Sequence, residues 1–282
     1  MRRRFSAAYH TEPLSVLAVW ARRLAVFSLL ATVTSIVMIR FGFLELRPAL
    51  ATFFGALALA GLSILVGLAA FAAIWHNGSR GMSLILLAFL INAAILAYPA
   101  YLAYQYRKLP AIHDITTDAI DPPRFDTLAP LRATDGANSA VYAGLYSAEQ
   151  QRTAYPDIEP ISVDVPPQRA YELVRRIVER RKWAIIDERP PQPPQRPGRI
   201  EAVARTPIMG FREDVSIRVA PDGDGSRVDI RSSSRYFEHD LGSNAARITK
   251  FTEDLNTAVD TAAPVKKLMT PAKPQAKGAT KR

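Results

Sequence analysis

"EDVSIRVAPDGDGSRVDIRSSS", residues 213–234, alternates apolar and polar side chains on either side of a turn rich in Pro, Asp and Gly. A period of two belongs to a strand with one buried face, and "PDGDG" supplies residues suited to a reversal, so the stretch reads as an antiparallel hairpin. Val228 and Ile230 point to the core, which carries Ser232 and Ser234 onto the same face and leaves Asp229, Arg231, Ser233 and Arg235 on the other.

Working outward, "RIEAVART" (199–206) and "WAIIDE" (183–188) read as two more strands, separated by "RPPQPPQRPG", whose prolines cannot enter a central sheet. "PPQRAYELVRRIVERRKW" begins with proline at a first-turn position and gathers Ala170, Leu173, Val174, Ile177 and Val178 on one helical face. The strand "ISVDV" (161–165) precedes it. "GSNAARITKFTEDLNTAV" closes the unit with a second stripe, Ile248, Phe251, Leu255 and Val259. Strand, helix, four strands, helix over residues 160–260 predicts an α+β domain, an antiparallel sheet covered by helices on one face. The order is similar to a helix-grip or START-type arrangement.

Upstream, residues 24–44, 49–75 and 82–104 are almost free of charge, Arg40 being the exception. Each run reaches the about 20 residues needed to cross a hydrocarbon core, which predicts three transmembrane helices. Residues 1–23 form the N-terminal flank. A first apolar run this long, followed by two more, is unlike a cleavable signal peptide. With the N-terminus inside, Arg2, Arg3, Arg4, Arg22, Arg23 and Arg80 are cytoplasmic, against Arg40, Arg47, Arg107 and Lys108 outside. That bias predicts a cytoplasmic N-terminus and a periplasmic C-terminal domain in an inner-membrane protein. In the second span Ala56, Ala60, Ser63 and Gly67 fall on one face, as close helix packing in lipid requires, and Asn92 in the third needs a partner on another helix. Residues 105–159, rich in Pro and Asp, read as a linker lying over the domain, and 261–282 as a disordered basic tail.

The net charge of +10 is unevenly placed: residues 1–104 and 264–282 carry +6 each, while 105–263 carry −2. A nearly neutral domain without basic residues interleaved with aromatics speaks against nucleic acid. The expected partners are the lipid bilayer and an anionic envelope component or a membrane protein. The absence of cysteine excludes disulfides and thiolate chemistry.

"RSSSRYFEHDLGSNAARI", residues 231–248, concentrates the remaining polar chemistry. Small hydroxyls replace aliphatics where the last strand ends, either fitting beneath the final helix and bonding free backbone groups or opening a polar pocket. Arg231 and Arg235 lie roughly 13 Å apart on an extended strand, so they flank a ligand or pair with Asp214, Asp229 or Asp240. Ser243 is placed to cap the last helix, which would leave first-turn amides as an anion site. "GFREDVSIRV", "DIRSSSR" and "HDLGSNAARI" together resemble the signature of the bacterial domain of unknown function 1499 family, its three-transmembrane-helix members in particular, over roughly residues 105–260. The resemblance singles out Asp214, Arg231, Ser232, Ser234, Arg235, Asp240, Gly242, Asn244 and Arg247. Some relatives carry a cysteine-containing motif where this chain has "LPAIHDITTD". The resemblance implies no established activity.

No nucleophile elbow, phosphate loop, dinucleotide fingerprint or zinc-ligand spacing is present. The leading expectation is a non-catalytic ligand-binding or scaffolding domain of the cell envelope with Arg231, Ser232, Ser234, Arg235, Asp240, Asn244 and Arg247 as ligand-binding candidates, and with no catalytic residue, metal or cofactor. The alternative is a membrane-anchored envelope hydrolase using His113 or His239 with Ser and Asp partners.

Overall fold

The computed structural model describes residues 12–134, 137–192 and 196–262. Arg2, Arg3 and Arg4 and the tail from residue 263 lie outside them. Three helices long and apolar enough to cross a membrane open the chain: α1 (Val16–Phe41), α2 (Leu46–Asn77) and α3 (Met82–Lys108). The first begins ahead of the charge-free run. Ser15 accepts a bond from the Ala18 amide at its start, and Arg22 and Arg23 lie inside the helix, with the Arg23 guanidinium 5.5 Å from the Trp20 ring. Long basic side chains reach the polar interface from within a span, so a charge does not end the helix.

Small residues let the three helices touch. Ala56, Ala60 and Ser63 of α2 are buried, and a Cβ added at Gly67 would stand 2.7 Å from the Phe89 ring of α3. The Ser63 hydroxyl donates to the Ala21 carbonyl at 2.9 Å and accepts from the Asn92 amide at 2.9 Å, which joins all three helices by side-chain bonds. At one end of the bundle the Ser15 amide donates to the Arg80 carbonyl at 2.8 Å, tying the entry of α1 to the α2–α3 turn. At the other end the bundle meets the domain. The Arg40 guanidinium donates to the carbonyls of Pro207 and Ile208 at 2.7 and 3.2 Å.

The domain contains β1 (Asp114–Thr116), α4 (Leu128–Thr134), α5 (Leu145–Ala154), β2 (Ile161–Val163), α6 (Pro167–Arg180), β3 (Ala184–Arg189), β4 (Gly198–Arg205), β5 (Arg212–Asp222), β6 (Gly225–Ser234) and α7 (Ser243–Ala262). The sheet is antiparallel in the order β1-β6-β5-β4-β3, with β2 also on β6. The β5–β6 hairpin sets the register, from Glu213 opposite Ser234 to Asp222 opposite Gly225. As the alternation predicts, Val215, Ile217, Val228 and Ile230 face α6 and α7, where Leu173, Val174, Ile177, Ile248, Phe251 and Leu255 complete one apolar core.

The segment expected as a linker over the domain, residues 105–159, holds α3's end, β1, α4 and α5. β1 and β2 pair end to end with the same edge of β6, at Arg231–Ser233 and Ser226–Val228. They form one interrupted edge strand, and the chain between them crosses the sheet's second face. On the outer side of β1 the Gln151 side chain accepts from the Thr116 amide at 3.0 Å and donates to the Thr116 carbonyl at 2.6 Å. This satisfies an edge that would otherwise present unpaired backbone groups.

Candidate functional site

Strand alternation places charge on the face away from α6 and α7, and residues 118–140 bury it. Asp214 of β5 is fully buried and accepts from Arg132 Nε of α4 at 2.6 Å and from Arg235 Nε at 2.9 Å. Arg132 also donates to the carbonyls of Ser139 and Ser233. Beside it, Arg231 makes a two-pronged pair with Asp114, Nε to Oδ1 at 2.9 Å and NH2 to Oδ2 at 2.6 Å. The Phe125 ring lies between the two guanidinium groups, 4.7 Å from that of Arg132 and 4.5 Å from that of Arg231. An aromatic face attracts both cations while keeping them apart. Farther along the sheet Asp229 accepts from Arg218 and Arg227. Glu201 accepts the amides of Asp126, Thr127 and Leu128 at the start of α4. A carboxylate there neutralises orphan donors and the positive end of the helix.

On the helix-facing side a second circuit forms. The Ser232 hydroxyl donates to Asn244 Oδ1 at 2.7 Å and accepts from Arg247 at 2.9 Å. The Ser234 hydroxyl donates to Glu213 Oε1 at 3.0 Å and accepts from Asn244 Nδ2 at 2.9 Å. Arg247 and Ser243 both close on Glu213. The serines therefore fit beneath α7, as the simpler reading has it, but their hydroxyls bond the side chains of Asn244, Arg247 and Glu213 and not the free backbone groups which that reading assigned to them.

The cap of α7 differs from expectation. Ser243 is the first helical residue, and its hydroxyl turns to Glu213. Asp240 does the capping: Oδ1 accepts the Gly242 amide and Oδ2 the Asn244 amide, both at 2.9 Å. The proposed first-turn anion site is thus occupied by the chain's own carboxylate. Burial pushes the Asp240 carboxyl above its ordinary range, while the two amides that it accepts pull the other way.

The seven candidate ligand residues divide between the two faces of the sheet: Ser232, Ser234, Asn244 and Arg247 bond one another beneath α7, with Asp240 capping that helix, while Arg231 and Arg235 bond Asp114 and Asp214 on the opposite face. The salt-bridge reading needs one amendment: Arg235 takes Asp214, whereas Arg231 takes Asp114, a residue 117 positions away that no local pattern points to. Arg132, Phe125 and Glu213 also went unnoticed. A signal for Glu213 exists, because alternation puts this charge on the core face beside Ser234. Among the candidates, Arg231 and Arg235 line surface clefts, of about 810 Å³ and 550 Å³ respectively.

The histidines stand apart from the hydroxyls. His239 Nε2 lies 3.1 Å from the Leu109 carbonyl and Nδ1 accepts the Leu241 amide at 3.0 Å, so both ring nitrogens are occupied by backbone. Burial pushes the His113 imidazole below its ordinary pKa, with the positive charges of Arg132 and Arg231 acting in the same sense and Asp114 and Glu238 opposing. Its carbonyl, not its ring, meets the site, accepting from the Ser234 amide and Asn244 Nδ2. Burial also pushes the Tyr142 hydroxyl, beside Arg231, up to about 12, which keeps it protonated. Among the described residues no three His, Asp or Glu side chains are grouped to hold a metal ion.

Residues 114–255 match the family described as a protein of unknown function, DUF1499. No curated protein matches the chain.

Proposed function

The chain belongs to the DUF1499 family, and from that premise we propose that it is an inner-membrane protein with a cytoplasmic N-terminus, whose periplasmic domain binds an anionic envelope component or scaffolds a membrane partner without catalysing a reaction. The observation that carries this reading is the fate of the reactive side chains. Ser232 and Ser234 donate to Asn244 and Glu213, and His239 is held by backbone at both nitrogens. A hydrolase needs a hydroxyl whose proton passes to a base within about 3 Å. Ser232 meets no base, only the Asn244 amide oxygen, and the Glu213 carboxylate that Ser234 reaches is already paired with Arg247 and bonded by Ser243, both of α7. The side of the membrane follows from the excess of arginine on the N-terminal flank and the α2–α3 turn.

Because the chain has no cysteine, single-cysteine labelling reads its topology directly. Lys250→Cys, on the exposed side of α7, is expected to react with a membrane-impermeant maleimide in intact spheroplasts, and Asn77→Cys only after lysis. The reverse pattern places the domain in the cytoplasm and rejects the proposal. Ester or phosphoanhydride turnover by the purified full chain that disappears in His113→Ala would instead establish the hydrolase.

A further inference from the structure

The junction between bundle and domain brings together Arg40, Arg47, Arg205 and Lys182, none of which pairs with a carboxylate among the described residues. A cleft of about 860 Å³ lies between the α1–α2 turn and the β4–β5 turn, lined by Phe41, Leu44, Arg47, Arg205 and Tyr236 among others. A second, of about 550 Å³, runs from Arg40 along the β3 edge to Lys182. Arg205 and Arg212 line both, so the two adjoin. Glu45 is the one acidic side chain lining either among the described residues, and it is exposed on the turn.

These cations differ from those of the buried layer. Arg40 donates to the Pro207 and Ile208 carbonyls, and Arg205 donates to the carbonyls of Gly210 at 3.2 Å and Arg40 at 3.5 Å. Carbonyl partners fix a guanidinium in position and leave its charge uncompensated. Arg47 and Lys182 have neither a carboxylate nor a carbonyl partner among the described residues. Such an excess of guanidinium and ammonium groups over carboxylates among the described residues marks where an outside anion would be held.

Position selects the anion. Arg40 is in the last turn of α1 and Arg47 in the first turn of α2, so the cleft opens where the apolar helices must leave the hydrocarbon. Phe41 and Leu44, which line the cleft, are 66% and 42% exposed, an apolar wall that no described residue covers. Arginines fixed above an apolar wall at this depth match a molecule with a phosphate at one end and acyl chains at the other. The cleft is also held in shape. Gly210 has φ +71°, and a Cβ there would lie 3.0 Å from Arg40 Cγ, so the β4–β5 turn rests directly on the end of α1.

We infer that the adjoining clefts lined by Arg40, Arg47, Arg205 and Lys182 form a binding site for the headgroup of an anionic phospholipid from the leaflet on the domain's side. The site deepens the proposed reading and rests on it for the identity of that leaflet alone. Labelling that inverts the topology moves the site to the other leaflet, while loss of lipid selectivity removes the site and leaves the topology standing.

The test uses the full chain, exchanged in detergent against equal amounts of phosphatidylglycerol and phosphatidylcholine, with retained lipid counted by native mass spectrometry. Wild type is expected to retain phosphatidylglycerol selectively. Arg47→Gln and Lys182→Gln, which break no internal bond, should each weaken that retention about fivefold, the effect of one basic residue at a membrane surface. Arg80→Gln, an exposed cation at the opposite end of the bundle, should behave as wild type. Equal retention of the two lipids overturns the inference. So does a loss in Arg80→Gln as large as in Arg47→Gln, which would mean diffuse attraction. Displacement of the lipid by inorganic phosphate at matching concentration overturns it as well, since the cleft would then take a small anion. An unchanged melting temperature in the two cleft variants keeps misfolding from imitating the result.

Discussion

The two faces of one sheet are closed in opposite ways. Against α6 and α7, Val215, Ile217, Val228 and Ile230 meet Ile248, Phe251 and Leu255, where burying each side chain yields about 1.5–3 kcal/mol regardless of orientation. On the other face Asp214, Asp229, Arg231 and Arg235 pair with Arg218, Arg227 and Asp114 of the sheet and with Arg132 of the covering segment, around the Phe125 ring. There, removing charge from water costs about as much as pairing returns, so the layer adds little net stability while demanding correct partners. The apolar face supplies the driving force. The ionic face supplies the penalty for any other arrangement.

That contrast is broken most forcefully at Asp214. Asp214→Ala leaves Arg132 and Arg235 buried without their shared carboxylate and is expected to cost about 3–5 kcal/mol, seen as a large drop in melting temperature of the full chain in detergent. Replacing Arg132, Asp214 and Arg235 together by Met, Leu and Met should recover most of that loss, because the two guanidinium groups leave together with the carboxylate they share. Failure of the rescue would mean that the layer drives folding.

Phe251→Ala, on the opposite face, is expected to cost a comparable about 3–5 kcal/mol through the cavity left against Trp183. No charge substitution nearby should rescue it. Gln151→Ala comes next, at about 1–3 kcal/mol, since it strands the buried amide and carbonyl of Thr116. Hydrogen exchange at Thr116 should rise before global unfolding does.

A smaller effect appears through pH. Burial raises the Asp240 carboxyl in the folded chain above its ordinary 3.8, so the folded state holds that proton more tightly than the unfolded one. Its contribution is fully present below the unfolded value and is lost as pH rises through the folded value. The stability of wild type relative to Asp240→Asn should therefore be greatest in acid and shrink toward neutral pH in melting curves. The smallest expected change is at Asp254, which links Arg180 and Arg181 beside α6 to α7 near the surface. Asp254→Asn should cost about 0.5 kcal/mol, and salt should erase the difference.

The helix-facing side was legible because its logic is local. Ile248, Phe251 and Leu255 recur at helical spacing, and Val228 and Ile230 alternate, so each element announces its buried face within a few residues. The spans were legible for the same reason, and Asn92 found the partner that its depth requires. The charged face was half legible. Alternation assigned Arg231 and Arg235 to it, yet the complement of Arg231 is Asp114, in a segment without periodicity that reads as a linker. Capping shows the same limit: "HDLGSN" reads with Ser243 as the cap, but Glu213 draws the serine hydroxyl away and Asp240 takes the Gly242 and Asn244 amides.

What the sequence determined by itself is therefore where apolar surface must go: three runs into lipid, and two helices onto one face of an antiparallel hairpin-based sheet. Burial of apolar area has no directional requirement, so its pattern survives in one dimension. Only the tertiary structure decided which charges meet carboxylates and which, like Arg40 at the bundle's end, meet backbone carbonyls, because a charge's environment is set by neighbours that the fold brings from a hundred residues away.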